Sequence, residues 1–305
     1  MIAELTIAEA AEAMRAGELS AVDLTRAAID RADLLDDVLG VYIRRFDGRA
    51  LAVAAERDAE LARGIDRGPL HGIPLGVKDI IAAAEGPTTA QSSALGDEWW
   101  RGEDASVVSR LRDAGAVVLG KTTTMEFAGG LIDAENPYAL PRNPWDPARW
   151  PGGSSSGSGA GVAAGMMLGA VGSDTGGSIR CPAGFCGVSG HKPTFDLVPL
   201  DRVVPAGFTY DTVGPIARSA EDCAILLDAM SGSDTASGLR GDLRGIRIGV
   251  YRDVYRSQVV DAALEPALAM AIAHLEALGA EVREIAVPFQ AELAASVMLG
   301  CGAES

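Results

Sequence analysis

Apolar residues recur at helical spacing through TIAEAAEAMR and again through AVDLTRAAIDRADLL, with a break at Gly17; this predicts two helices, with Ser20 capping the second. VYIRRF (41–46) reads as a strand, and RALAVAAERDAELARG as a further helix. In DRGPLHGIPLGVKDII, Pro69, Gly72, Pro74 and Gly76 impose an irregular path that ends in an apolar strand. ASVVSRLRDAG then gives a helix stopped by Gly115, and AVVLGK a buried strand. IRIGVY (246–251), the amphipathic run through Leu264, Leu268, Ile272, Leu275 and Leu278 with a stop at Gly279, and EVREIAV (281–287) together predict a βαβ unit. Helices alternating with short apolar strands imply a layered α/β architecture in which helices cover a largely buried sheet. No clean domain boundary stands out. SGSDTASGLRGDLRG (231–245) reads as a surface loop joining lobes of one domain, and no internal repeat is evident.

Composition narrows the function classes. With 305 residues, 48% hydrophobic and 22% charged, the chain has the make-up of a soluble globular protein, and no apolar run approaches the roughly 20 residues of a membrane span. MIAELTIAEA has no signal-peptide pattern, and Cys181, Cys186, Cys223 and Cys301 match neither a disulfide framework nor a zinc spacing. A reduced cytoplasmic setting is the expectation. A net charge of −16 repels phosphate backbones and argues against direct nucleic-acid binding. Of the 26 basic residues only Lys78, Lys121 and Lys192 are lysines. Lysine, unlike arginine, loses its proton when desolvated and then serves as a base.

The densest chemistry lies in GGSSSGSGAG (152–161) and SDTGGSIR (173–180). A flexible linker does not fit, because VAAGMMLGAVG follows with no polar spacer. Gly153-Ser154-Ser155-Ser156-Gly157 satisfies GxSxG, but a nucleophile elbow follows a strand and the three prolines of NPWDPARWP exclude one. A phosphate-binding loop would need a lysine that the glycine run lacks. Asp174-Thr175-Gly176 has no second Asp-Thr-Gly to complete a carboxylate pair. Ser189-Gly190-His191-Lys192 matches SxxK, yet Pro193 disfavours the helix that motif needs.

One family accommodates all of these features. PGGSSSGSGAGVAAGMMLGAVGSDTGGSIRCPAGFCGVSGHKPT, preceded by GPLHGIPLGVKDI, GKTTTMEFAGG and NPWDPARWPGG, resembles the amidase signature family, and the likeness runs from the N-terminal helices to about residue 290. The resemblance implies an α/β fold with a mixed sheet covered by helices, here one domain over residues 1–305. Family members continue past the point matching Ser305, so the chain is expected to lack the family's C-terminal portion. By the same resemblance Lys78, Ser154 and Ser178 form a Ser-Ser-Lys triad with a cis Gly153-Ser154 bond. Ser178 is the nucleophile that becomes acylated, Ser154 the relay and Lys78 the base.

The residues suit these roles. Among Ile73, Leu75, Val77, Ile80 and Ile81, a lysine loses the hydration that favours its cation, and its pKa falls toward neutrality. Thr175, Gly176, Gly177 and Ser178 offer successive backbone N–H groups for an oxyanion hole. Asp174 and Arg180 are expected to hold the loop, and Ser155 to support Ser154 by hydrogen bonding. His71, His191, Lys121, Lys192, Cys181 and Cys186 are assigned structural roles, and Trp99, Trp100 and Trp145 are expected to pack. The activity the resemblance implies is hydrolysis of a small-molecule amide to carboxylate and ammonia or amine without metal or organic cofactor, with no membrane partner and with homodimerisation allowed. Two alternatives stay open: the glutaminase component of a tRNA-dependent amidotransferase, and a catalytically silent scaffold or binding protein of this fold.

Overall fold

Thr6 and Ser20 each close a capping box, with Glu9 and Asp23 reaching back to the N-cap amide, and so start helices α1 (Ile7–Arg15) and α2 (Ala21–Leu39) where the apolar periodicity begins. Gly40 ends α2 in the left-handed conformation. The computed structural model describes residues 4–95, 102–130, 135–252 and 261–304. It continues through β1 (Tyr42–Arg45), α3 (Asp47–Ala62), β2 (Pro74–Lys78), α4 (Ser106–Asp113) and β3 (Val117–Thr122). Next come α5 (Ser156–Ala163), β4 (Gly169–Ser173), α6 (Arg180–Cys186), β5 (Ser189–Gly190), β6 (Val213–Ala217) and α7 (Ala220–Ser231). The segment after the long loop holds β7 (Arg247–Val250), α8 (Leu264–Ala277), β8 (Glu281–Glu284) and α9 (Gln290–Glu304).

The chain falls into two compact units, residues 1–236 with 300–305 and residues 237–299. The division lies inside the polar loop at 231–245, where apolar residues that could pack are sparse. In the smaller unit β7 and β8 pair in parallel, with α8 in the connection, as the βαβ pattern predicts. The larger unit carries a six-stranded mixed sheet in the order β1-β3-β2-β4-β6-β5. β2 runs parallel to both β3 and β4, and the remaining pairs are antiparallel. Every residue of β2, β3, β4 and β6 is buried, which explains why these strands read as continuous apolar or small-residue runs rather than as alternation.

Six of the ten residues of the serine-glycine run, from Ser156 onward, are helix. SGSGAGVA forms α5 although glycine and serine disfavour helix, because only a helix this slim fits against the sheet. A Cβ at Gly157 would stand 2.3 Å from the Val41 carbonyl oxygen and 2.6 Å from the Thr123 nitrogen. Tertiary packing therefore overrides local propensity here. None of the described helices is long and apolar enough to cross a membrane.

Candidate active site

The parallel pairing of β2 with β4 decides where the chemistry collects. Val77 stands opposite Val171, so the carboxyl ends of both strands open on the same edge, the usual position of ligand sites in such sheets. Lys78 closes β2 and Ser173 closes β4. The turn before α5 brings Ser154 to the same place, through a Gly153-Ser154 peptide bond that is cis. Lys78 is fully buried, and its Nζ lies 2.7 Å from Ser154 Oγ and 2.9 Å from Ser173 Oγ. Among the described residues no carboxylate comes within ion-pair distance of it. Burial pulls its pKa down to about 7, with the more distant Asp174 and Asp211 acting in the opposite direction.

Lys121, one strand over, makes the contrast. It is equally buried, but its Nζ meets Asp79 Oδ1 and Thr88 Oγ1, each at 2.9 Å. Burial lowers its pKa as well, while Asp79 supports the cation directly. The two buried lysines thus differ in partners, one facing a carboxylate and the other only hydroxyls.

Ser155 joins the pieces. Its amide donates to the Ser178 carbonyl at 3.1 Å, its hydroxyl donates to the Ser173 carbonyl at 3.1 Å, and the Ser173 amide donates back to that hydroxyl at 3.2 Å. It therefore supports Ser173 and Ser178, not Ser154 as expected from the sequence. Ser178 itself is half-buried, and among the described residues its hydroxyl has no hydrogen-bond partner. The loop carrying it is organised by Asp174, which is fully buried. That carboxylate accepts from the amides of Gly177 (2.7 Å), Ile179 (3.2 Å) and Arg180 (3.4 Å) and from the Arg180 guanidinium at two 2.9 Å contacts. Burial alone would raise the pKa of Asp174, but Arg180 and these amides outweigh it and hold the group below its ordinary value.

The Gly177 amide is thus spent inside the loop and does not face the exterior as a free donor. The amides of Thr175, Gly176 and Ser178 have no partner among the described residues. The Thr175 hydroxyl donates to Asp211, which also accepts from the amides of Ala206 and Gly207.

Known proteins share this architecture. The amidase family model matches residues 23–304. The chain belongs to the amidase family. It is 44% identical over 233 residues to the putative amidase AmiD of Mycobacterium tuberculosis, a match covering 76% of this chain and 48% of that protein. It is 40% identical over 297 residues to the A component of the glutamyl-tRNA(Gln) amidotransferase of Carboxydothermus hydrogenoformans, covering 93% of this chain and 61% of that one. Among solved structures, native peptide amidase from Stenotrophomonas maltophilia superposes with a TM-score of 0.85 at 39% identity, covering 96% of this chain and 64% of the enzyme. The chain therefore spans about half to two thirds of the length of these family members, and its mixed-sheet α/β architecture is that of the amidase fold.

Within this family member, Ser173 is the site residue that the sequence did not flag. Its one sequence signal was its place at the end of an apolar run directly before DTGGS; the strand pairing that carries it to Lys78 is not visible in a single sequence. Trp145 is not packed inside as expected: the residue is 75% exposed, anchored by Nε1 donating to the Cys186 carbonyl at 2.7 Å. Trp99 and Trp100 lie outside the described residues. His71 is buried and bonded to the Arg57 carbonyl and the Arg67 amide. A cavity of about 720 Å³ beside Arg31, Leu34, Trp145 and Gly165 opens at the C-terminal end of α5, away from Ser154 at its start.

Proposed function

We propose that the chain is an amide hydrolase working through an acyl-enzyme on Ser178, with Ser154 as proton relay and Lys78 as base. The observation that carries this is a fully buried lysine whose hydrogen-bonding neighbours are serine hydroxyls and not a carboxylate. A neutral amine has one lone pair and two N–H groups. With Ser173 accepting one N–H, the lone pair is available to the Ser154 hydroxyl. Ser178 Oγ attacks the amide carbonyl carbon while its proton passes to Ser154 Oγ and the Ser154 proton to Lys78. The amides of Thr175, Gly176 and Ser178 stabilise the resulting oxyanion. The tetrahedral intermediate collapses with cleavage of C–N, and the Lys78 proton returns through Ser154 to the leaving nitrogen. Water then repeats the sequence on the ester, releasing carboxylate and free Ser178. Hydrogen bonds of this kind are often loose before substrate arrives, which accommodates a Ser178 hydroxyl without a partner among the described residues.

The assignment fixes a pH dependence. Lys78 acts as the free amine, so hydrolysis rises with pH and levels off above the lysine's pKa, about 7 here against 10.5 for an ordinary lysine. Ammonia release from a simple amide, followed from pH 5 to 10, is expected to show that inflection near neutrality; a rise centred near 10 would remove Lys78 from the role of base. The glutaminase reading draws on the 40% identity to the amidotransferase component. Hydrolysis of simple amides by this chain without a partner protein distinguishes the two.

A further inference from the structure

The loop that carries Ser178 begins where a sheet ladder stops. β4 and β6 pair with Ser173 opposite Val213, and the pairing runs one step further, the amides of Asp174 and Thr212 each donating to the other's carbonyl at 2.8 and 3.2 Å. Thr175 and Asp211 come next in that register. In an antiparallel pair, residues that exchange backbone bonds alternate with residues that do not; in the second kind the N–H groups point away from the partner strand and the side chains approach most closely. Thr175 and Asp211 meet in this second way, through the Thr175 hydroxyl donating to Asp211 Oδ1. The same alternation turns the Thr175 amide away from β6, toward the side of β4 on which β2 ends in Lys78.

Asp174 holds the far end of the loop, at Gly177, Ile179 and Arg180. The near end has a different anchor. A Cβ built on Gly176 or Gly177 would meet nothing within 4 Å, so side-chain packing does not fix the backbone there, and glycine leaves it conformationally free. The bond from the Thr175 hydroxyl to Asp211 is what ties down the first of the oxyanion donors. Asp211 is itself 7% exposed and firmly seated. Its carboxylate also accepts from the amides of Ala206 at 2.8 Å and Gly207 at 3.1 Å, and its own amide donates to the Gly207 carbonyl at 2.9 Å, so residues 206–211 close around it. The outer turn of that segment has separate support from Glu304, which accepts from the Thr209 amide at 3.0 Å and the Thr209 hydroxyl at 2.7 Å. Losing the bond to Thr175 therefore leaves the segment other attachments.

We propose that Asp211 is a positioning residue for the reaction, acting through the Thr175 hydroxyl to hold the Thr175 amide where the oxyanion forms. This role rests on the hydrolase assignment. Its test measures kcat and KM for butyramide in wild type, in Thr175→Val, which keeps the branched shape and loses the hydroxyl, in Asp211→Asn, and in the double variant. Each single variant is expected to lower kcat by about ten- to a hundredfold with KM within about twofold, because a displaced donor matters only once the oxyanion develops. Thr175→Ser restores the hydroxyl and is expected to recover kcat to within about threefold of wild type. The double variant is expected to be no more than about twofold slower than Thr175→Val, since both side chains act through one bond. Wild-type kcat in Thr175→Val, a raised KM at constant kcat, single losses that multiply in the double variant, or a Thr175→Ser chain as slow as Thr175→Val overturns the positioning role. Any of these in a wild-type background that hydrolyses butyramide and reacts with a fluorophosphonate at Ser178 removes that role alone. A wild-type chain that does neither removes the hydrolase assignment, and the positioning role falls with it.

Discussion

Lys78→Met is expected to lower amide hydrolysis by about 10² to 10⁴-fold, the usual contribution of a positioned general base, in a chain that remains folded. Methionine keeps the length and apolar body of the lysine stem in a site that excludes water. The amine contributes to stability with a definite sign. Its pKa is about 7 when folded and 10.5 as an ordinary lysine, so between those values the unfolded chain binds more protons and stability rises with pH. Below about 7 the folded wild-type chain carries the full cost of a buried cation. The variant is therefore expected to gain in Tm relative to wild type at pH 6, with the advantage shrinking steadily toward pH 10. A Tm difference that does not change over that range would mean that Lys78 keeps its proton in the fold, and with it the base would be lost from the mechanism.

Asp174→Ala is the second large effect, and it acts by position rather than by proton transfer. The substitution strips acceptors from the amides of Gly177, Ile179 and Arg180 and leaves the Arg180 guanidinium without its buried partner. Arg180 is 56% exposed and can turn to water, so the cost falls below that of a wholly buried pair, at about 2–3 kcal/mol in denaturant unfolding. Activity should fall further, by about a hundredfold or more, because Ser178 and the oxyanion donors sit on the loop that Asp174 holds and small displacements of reacting groups are costly. Asp174→Asn retains an acceptor and should lose less on both counts. The Asp174 pKa is held below its ordinary value, so its contribution is complete above the unfolded pKa of about 4 and fades only as pH falls through the folded value. Equal unfolding free energies for wild type and Asp174→Ala at pH 7 would contradict the loop-holding role.

Much of this arrangement is legible in the sequence. Ser20 as a cap, an apolar strand within DRGPLHGIPLGVKDII, the βαβ unit whose helix stops at Gly279 and the buried apolar surroundings of Lys78 follow from periodicity and side-chain chemistry. What could not be read depends on neighbours distant in sequence. GAVGS and VGPIA carry glycine and proline where a strand signal expects β-branched residues, so β4 and β6 do not stand out; their small residues reflect close approach, as at Gly172, where a Cβ would come 2.8 Å from Ser155 Oγ. Ser173 becomes part of the site only when β4 is paired beside β2. The capture of the Gly177 amide by Asp174 and the bond from Thr175 to Asp211 likewise depend on proximity that the fold alone creates.

The serine-glycine run shows both halves of this lesson. Its glycines look like those of a turn, and Gly152 does occupy the left-handed region, at φ +83, where a Cβ would strike Pro182 at 2.8 Å. Beyond Ser155, however, the same composition serves a buried helix. That helix and the turn before it hold Ser154 in hydrogen-bond contact with Lys78.

A nucleophilic Ser178 activated by a neutral buried lysine is tested most directly by reaction of the folded chain with a fluorophosphonate, followed by mass mapping of the modified residue. Covalent labelling is expected at Ser178, lost in Ser178→Ala and strongly slowed in Lys78→Met. Folded protein that stays unlabelled at Ser178, or labels equally at Ser154 or Ser155, would contradict that role and favour a silent binding protein or a different nucleophile.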